Sequence, residues 1–138
     1  MSLPGTPFET ELQVRPDDID MYQHVHGSRY FDYVLAARYD QMARCYRVSM
    51  EEFARAGYGW VIRTAHLDYH RPLRLGDRFV VRTRVAEFVQ DGVKVEFEIR
   101  KQPTGKLVCG GHFHYAMIDL KTGRASGLPD WVVTAYSI

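Results

Sequence analysis

The sequence predicts a single α+β domain built on a mostly antiparallel sheet. Three observations carry this. One strand-like stretch is followed by two helical ones, four strand-like stretches come after them joined by short turns, and strand and helix do not alternate as a βαβ design requires. The chain has 138 residues, 46% of them hydrophobic and 25% charged, which suits one core and one domain over 1–138.

Residues 8–15 alternate polar and apolar side chains (Phe8, Leu12, Val14) and are expected to form the first strand, ended by Pro16 and an acidic turn. From Ser28 the period changes. Tyr30, Tyr33, Val34 and Ala37 recur at helical spacing, and Arg29, Asp32, Arg38 and Asp40 fall mostly elsewhere on the wheel, so an amphipathic helix is expected to about Cys45. Ser49 followed by Glu52 is a capping-box pattern that opens a shorter helix, with Gly57 placed to stop it.

Strands are expected over 60–69, 78–88, 93–100 and 106–119. The first is rich in aromatic and β-branched residues, and the turn 71–77, with Pro72 and Gly76, delivers the chain into the second. Asp91-Gly92 is a hairpin signal. After it Val93, Val95, Phe97 and Ile99 alternate cleanly with Lys94, Glu96, Glu98 and Arg100. Pro103-Thr104-Gly105 turns into the last strand, and Lys121-Thr122-Gly123 closes it. A sheet with free edges is often completed by a second copy, so a homo-oligomer is expected.

Eighteen Lys and Arg against seventeen Asp and Glu leave a net charge of +1, which provides no global field for nucleic acid or an anionic membrane. Cys45 and Cys109 stand far apart and form no C-x-x-C, so they read as buried thiols in a reducing compartment. The first residues show no basic and apolar leader, and no stretch has the length to span a bilayer, so the protein is read as cytoplasmic.

Several motifs fall in one order along the chain. Asp18-Ile19-Asp20-Met21-Tyr22-Gln23-His24-Val25 precedes Tyr30-Phe31-x-Tyr33 and Ala37-Arg38. Leu67-Asp68-Tyr69-x-x-Pro72-Leu73-x-x-Gly76-Asp77 follows, and the chain closes with Gly110 to Ile118, Asp119, Thr122-Gly123-Arg124 and Leu128-Pro129. This set resembles the hotdog-fold thioesterases related to 4-hydroxybenzoyl-CoA thioesterase, from about Thr10 to Pro129. The resemblance implies a curved antiparallel sheet wrapped around the long helix, with homodimers or homotetramers whose active sites lie at the subunit interface.

It also implies an acyl-CoA thioesterase that needs no cofactor. Thioester hydrolysis requires a group that attacks the carbonyl or activates water, and donors for the oxyanion that develops. Read alone, two acids in a turn before a helix simply cap or solvate it. By resemblance the second of the pair, Asp20, is catalytic as general base or nucleophile, and Asp18 is structural. Carboxylates are ordinarily ionised at neutral pH, so either role is open. A helix N-terminus presents free N–H groups and a positive dipole end, and the resemblance puts the key amide near Gly27.

The chain departs from the family beside that site. Many relatives have Gly where this chain has Gln23, and Asn-Asn where it has His26-Gly27; one branch has a histidine at the position of Gly27. Leu35 and Ala36 replace glutamates that often precede the Ala-Arg pair. Gln23 either crowds Asp20 or supplies an amide to the substrate, and His24, His26 and Tyr30 join it as candidate substrate contacts. Arg71 and Arg74, flanking Pro72, are the candidate coenzyme phosphate ligands.

His24-x-His26 and His112-x-His114 have spacings that put paired side chains on one side of a strand, but without a third ligand they do not amount to a metal site. Ser28 lies in no G-x-S-x-G elbow. Two other functions stay open at this point: a hotdog module that binds an acyl thioester without turnover, favoured by Gln23 and the missing Asn-Asn pair, and a thioesterase for acyl-carrier-protein substrates. A hotdog dehydratase is disfavoured because the helix lacks the acid and histidine arrangement that such chemistry implies.

Overall fold

The computed structural model describes residues 5–138. Residues 1–4, the start of the segment read above for a leader, lie outside the described residues. Five strands form one antiparallel sheet in the order β1-β3-β4-β5-β2: β1 Phe8–Gln13, β2 Tyr58–Tyr69, β3 Arg78–Val89, β4 Gly92–Lys101 and β5 Leu107–Asp119. Helix α1 (Gly27–Arg44) packs on this sheet, α2 (Met50–Arg55) leads into β2, and α3 (Asp130–Tyr136) follows β5.

The register explains the burial. Opposite one another on β3, β4 and β5 stand Val85, Val95 and Phe113, all turned into the core with exposures of 1% or less. Register shifts at Ile62/Thr64, Val85/Glu87 and Ile99/Arg100 insert extra residues, and such bulges bend and twist the strands that carry them. The sheet curves around α1, as the resemblance implies.

Helix α1 buries Tyr30, Tyr33, Val34 and Ala37, the stripe expected from the sequence, but also Arg38, Gln41 and Met42. Arg38 was expected off that face. It lies one helical turn beyond Val34, and it is drawn inward where β3 presents the Thr83 hydroxyl and the segment just after α1 presents the ring of Tyr46. Gln41 is satisfied across the same seam: its amide nitrogen donates to Thr10 Oγ1 (3.0 Å), and its oxygen accepts from the Thr83 hydroxyl.

The second helix is capped as its sequence predicts, with the Glu52 amide donating to Ser49 Oγ at 3.1 Å and the Ser49 amide to Glu52 Oε1 at 3.2 Å. Gly57 ends it at φ +91°, where a side chain would be strained. Helix α3 was not expected. Its Trp-Val-Val-Thr-Ala-Tyr sequence has strand-like composition and Pro129 offers no capping side chain, so tertiary packing creates it. Trp131 stacks on Phe53 at 5.4 Å and Tyr136 on Trp60 at 5.7 Å. Cys109 is buried as expected, and Cys45 only partly so.

Candidate active site

Between β1 and α1 the chain forms a 3-10 turn (Pro16–Asp18) and then a tight loop. The loop closes on itself around Asp20, whose amide donates to the His24 carbonyl (2.8 Å) and whose carbonyl accepts from the Gln23 amide (3.1 Å). One carboxylate oxygen, Oδ1, accepts from the amides of Tyr22 (2.8 Å) and His24 (3.3 Å). The other oxygen, Oδ2, has no hydrogen-bond partner among the described residues. The carboxylate is therefore held at one oxygen and available at the other.

Turning the loop so tightly puts Gln23 at φ +67°. That is the left-handed region, which explains why glycine suits this place and why a side chain here carries strain. Gln23 is exposed at the loop tip and directs no side-chain hydrogen bond to Asp20.

Asp18 plays a different part. It is 2% exposed, its Oδ2 accepts from the Tyr33 hydroxyl (2.7 Å) and from the Arg15 amide (3.1 Å), and Arg29 Nε stands 3.7 Å from Oδ1. Burial and then the bond to Asp18 push the Tyr33 hydroxyl far above its ordinary value, keeping it a neutral donor. Asp18 is fully engaged in holding the loop to α1.

Helix α1 begins at Gly27 with His26 as N-cap: its Nδ1 accepts from the Ser28 amide (3.3 Å), and its carbonyl accepts from the Arg29 amide (2.9 Å). The Gly27 amide has no hydrogen-bond partner among the described residues. Gly27 is exposed, and a Cβ on it would meet nothing closer than the Tyr69 hydroxyl at 4.0 Å. An 18-residue helix thus presents a free N–H at its positive end.

The loop and the helix start are fastened to the turn after β2. The Val25 amide donates to the Leu73 carbonyl (2.8 Å), the Leu73 amide to the Tyr30 hydroxyl (3.1 Å), and the Tyr69 hydroxyl to the Gly27 carbonyl (3.0 Å). His24 and Arg74 form an antiparallel bridge. The result is an open cavity of about 310 Å³, lined by Asp20, His24, Gly27 and Tyr30 from one side and by Tyr69 to Pro72 from the other. Burial raises the pKa of Tyr30 and Tyr69, so both face the cavity as neutral phenols.

Of the candidates read from the sequence, Asp20, His24, Gly27, Tyr30 and Arg71 are brought together here. Arg71 uses one guanidinium nitrogen on the Leu107 carbonyl (2.9 Å). Gln23, His26 and Arg74 stand outside the lining, His26 as the helix cap and Arg74 through its backbone. Tyr69 and His70 were missed, although Tyr69 sits within the motif quoted above and its position at the end of β2 is the available signal. Among the described residues no group of three or more His, Cys, Asp or Glu side chains is arranged to hold a metal ion. His112 instead stacks on His66, and His114 pairs with Asp91.

The sequence profile of the thioesterase-like superfamily matches residues 14–135. The chain belongs to the thioesterase-like superfamily. Within the superfamily, it is 26% identical over 121 residues to the long-chain acyl-CoA thioesterase FadM of Escherichia coli (strain K12), an alignment covering 88% of this chain and 90% of FadM. Its fold matches a DHNA-CoA thioesterase from Staphylococcus aureus with a TM-score of 0.86 at 20% identity, covering 95% of this chain and 89% of the other. The SAV2348 protein of Staphylococcus aureus, solved in complex with CoA, gives a TM-score of 0.85 at 20% identity over 96% of this chain and 85% of its own. The superfamily's hotdog fold is thus the fold of this chain.

Proposed function

We propose that the protein hydrolyses acyl-CoA thioesters at the Asp20 cavity. The observation that carries this reading is the pairing of a carboxylate with one free oxygen and a helix-terminal amide with no partner, both on one open cavity. Likeness to FadM, over nine-tenths of its length, supports an acyl-CoA as the substrate class, and a CoA complex of a protein with the same fold supports the carrier.

In this reaction the thioester carbonyl oxygen points at the Gly27 amide. With Asp20 as base, Oδ2 takes a proton from water as the water oxygen bonds to the carbonyl carbon. The oxyanion forms against the Gly27 N–H and the positive end of α1. Collapse breaks the carbon–sulfur bond, and the departing thiolate takes the proton held at Oδ2, leaving free acid, coenzyme A and the Asp20 carboxylate restored. With Asp20 as nucleophile, Oδ2 attacks first and water opens the resulting anhydride. After a single turnover in ¹⁸O-water, label in Asp20 identifies the anhydride route with water attacking the Asp20 carbonyl, whereas water attacking the acyl carbon sends the label to the free acid, as the base route does. Arg71 is the proposed phosphate contact, and β2, whose far side is a sheet edge, is the proposed pairing edge for a homodimer.

The test is a thiol-release screen over short, long and aromatic acyl-CoAs with Asp20→Asn as control. The asparagine retains an oxygen for the Tyr22 and His24 amides, so the loop holds while activity falls by about 10²–10⁴-fold. Full activity in Asp20→Asn would falsify the assignment. Tight acyl-CoA binding with no thiol released from any substrate would replace it with the binding-module reading.

A further inference from the structure

A second cavity of about 230 Å³ lies between α1, β2, β4, β5 and α3, and shares no lining residue with the Asp20 cavity. Its body is apolar, with Leu35, Met42 and Val93 in the wall. Arg38 also lines it, although this side chain is only 5% exposed and has no carboxylate within 4 Å among the described residues. Among the described residues its guanidinium makes one hydrogen bond, a long one of 3.4 Å to Thr83 Oγ1, whose own proton goes to Gln41. The ring of Tyr46 lies 5.2 Å from its Cζ. Buried charges are ordinarily paired, and a guanidinium has five N–H donors to place.

Three more polar groups of the lining residues are buried without partners among the described residues: Trp60 Nε1, the Tyr115 hydroxyl and the Tyr136 hydroxyl. Burial pushes both phenols up to about 12, so neither is an anion that balances Arg38. A buried cation without a carboxylate partner thus lines a small cavity that is otherwise nearly all hydrocarbon, and three further unpaired donors belong to the residues around it.

We propose that this cavity binds a small carboxylic acid, with its carboxylate on Arg38 and the neighbouring hydroxyl and indole donors and its apolar body against Leu35, Met42 and Val93. The volume is below the ~300 Å³ of the smallest drug-sized pockets, which limits the ligand to a short aliphatic or single-ring acid. The site is independent of thioester hydrolysis.

The experiment titrates hexanoate and benzoate, with 1-hexanol and benzyl alcohol as uncharged counterparts, into the full chain carrying Trp131→Phe. Trp60 is then the only tryptophan, and its fluorescence and indole N–H resonance report this cavity alone. The acids are expected to saturate the signal with an affinity about 10- to 100-fold above that of the alcohols, as expected for a hydrogen-bonded charge. Arg38→Met should erase that preference, leaving alcohol binding unchanged. Should Arg38→Met fail to fold, Tyr115→Phe and Tyr136→Phe remove only the hydroxyls and should each weaken the acids alone. Asp20→Asn should bind as the parent does. The proposal is overturned if no probe saturates, if alcohols bind as tightly as acids, or if Asp20→Asn abolishes the signal.

Discussion

Replacing Gly27 by proline isolates a single atom of the proposed chemistry. The substitution removes one backbone hydrogen, the N–H proposed to meet the oxyanion. Three features of the structure suit it. Gly27 is the first residue of α1, where proline is favoured because its missing N–H has no helical partner. The residue before it, His26, has φ −59° and ψ 136°, the extended conformation a following proline requires. Apart from its chain neighbours and the backbone of its own helix, an added Cβ would meet only the Tyr69 hydroxyl, at 4.0 Å, among the described residues. The native amide has no acceptor to lose, and proline restricts the unfolded chain, so folding stability should hold or rise by about 0.4–1 kcal/mol. Loss of one oxyanion donor, in contrast, typically costs about 3–4 kcal/mol in the transition state, or 10²–10³ in kcat. The assay pairs thermal denaturation with steady-state thiol release, and Gly27→Ala, which keeps the N–H, serves as control. A fall in kcat with little change in coenzyme A binding separates a lost donor from a blocked pocket. A folded Gly27→Pro protein with kcat near that of the parent would refute the reasoning.

Other perturbations address the frame around the site. Asp18→Ala strips the acceptor from the Tyr33 hydroxyl and the Arg15 amide and leaves Arg29 facing an emptied position, so urea denaturation should register a loss of about 3 kcal/mol. Gly111→Ala brings a Cβ to 1.8 Å from the His66 carbonyl oxygen, a backbone clash that no rotamer relieves; the same measurement should show a loss of about 3 kcal/mol or an insoluble protein. The hydrogen bond from His114, 2.8 Å from Asp91, holds the Asp91 carboxyl below its usual range. A carboxyl depressed on folding stabilises the protein above its unfolded pKa of about 4, and the contribution is lost as the pH falls through the folded value. Asp91→Asn should therefore lower stability at neutral pH by an amount that shrinks below pH ~4.

What was legible in the sequence follows from how local each signal is. The stripe from Tyr30 to Ala37 and the alternation of β4 record which face meets the core, and Ser49 with Glu52 records a cap whose bonds span three residues. That Asp20 and Gly27 line one cavity was legible because they stand close together in the chain; the roles given to them are a proposal. Arg38 was misplaced because a charge on a helix wheel reads as solvent-facing unless the sheet opposite is known to leave it a place. Helix α3 was hidden because its strand-like residues become helical only through contact with Phe53 and Trp60, nearly eighty residues earlier in the chain. Tyr69 was passed over for the same reason: its role depends on a bond to Gly27, 42 positions away.

The fastening of the Asp20 loop to the 73–74 turn bears on how such a site changes its preferences. With amides of Val25 and Leu73 and the hydroxyls of Tyr30 and Tyr69 spent on those ties, the backbone around Asp20 is a fixed bracket rather than a lid. Lengthening or shortening it would break several bonds at once and displace the Asp20 carboxylate with them. Side chains that project from the bracket, Met21, Tyr22 and Gln23, carry no such duty and are exposed. Substitutions at those outward positions can therefore accumulate one at a time with the backbone geometry around Asp20 left in place behind them.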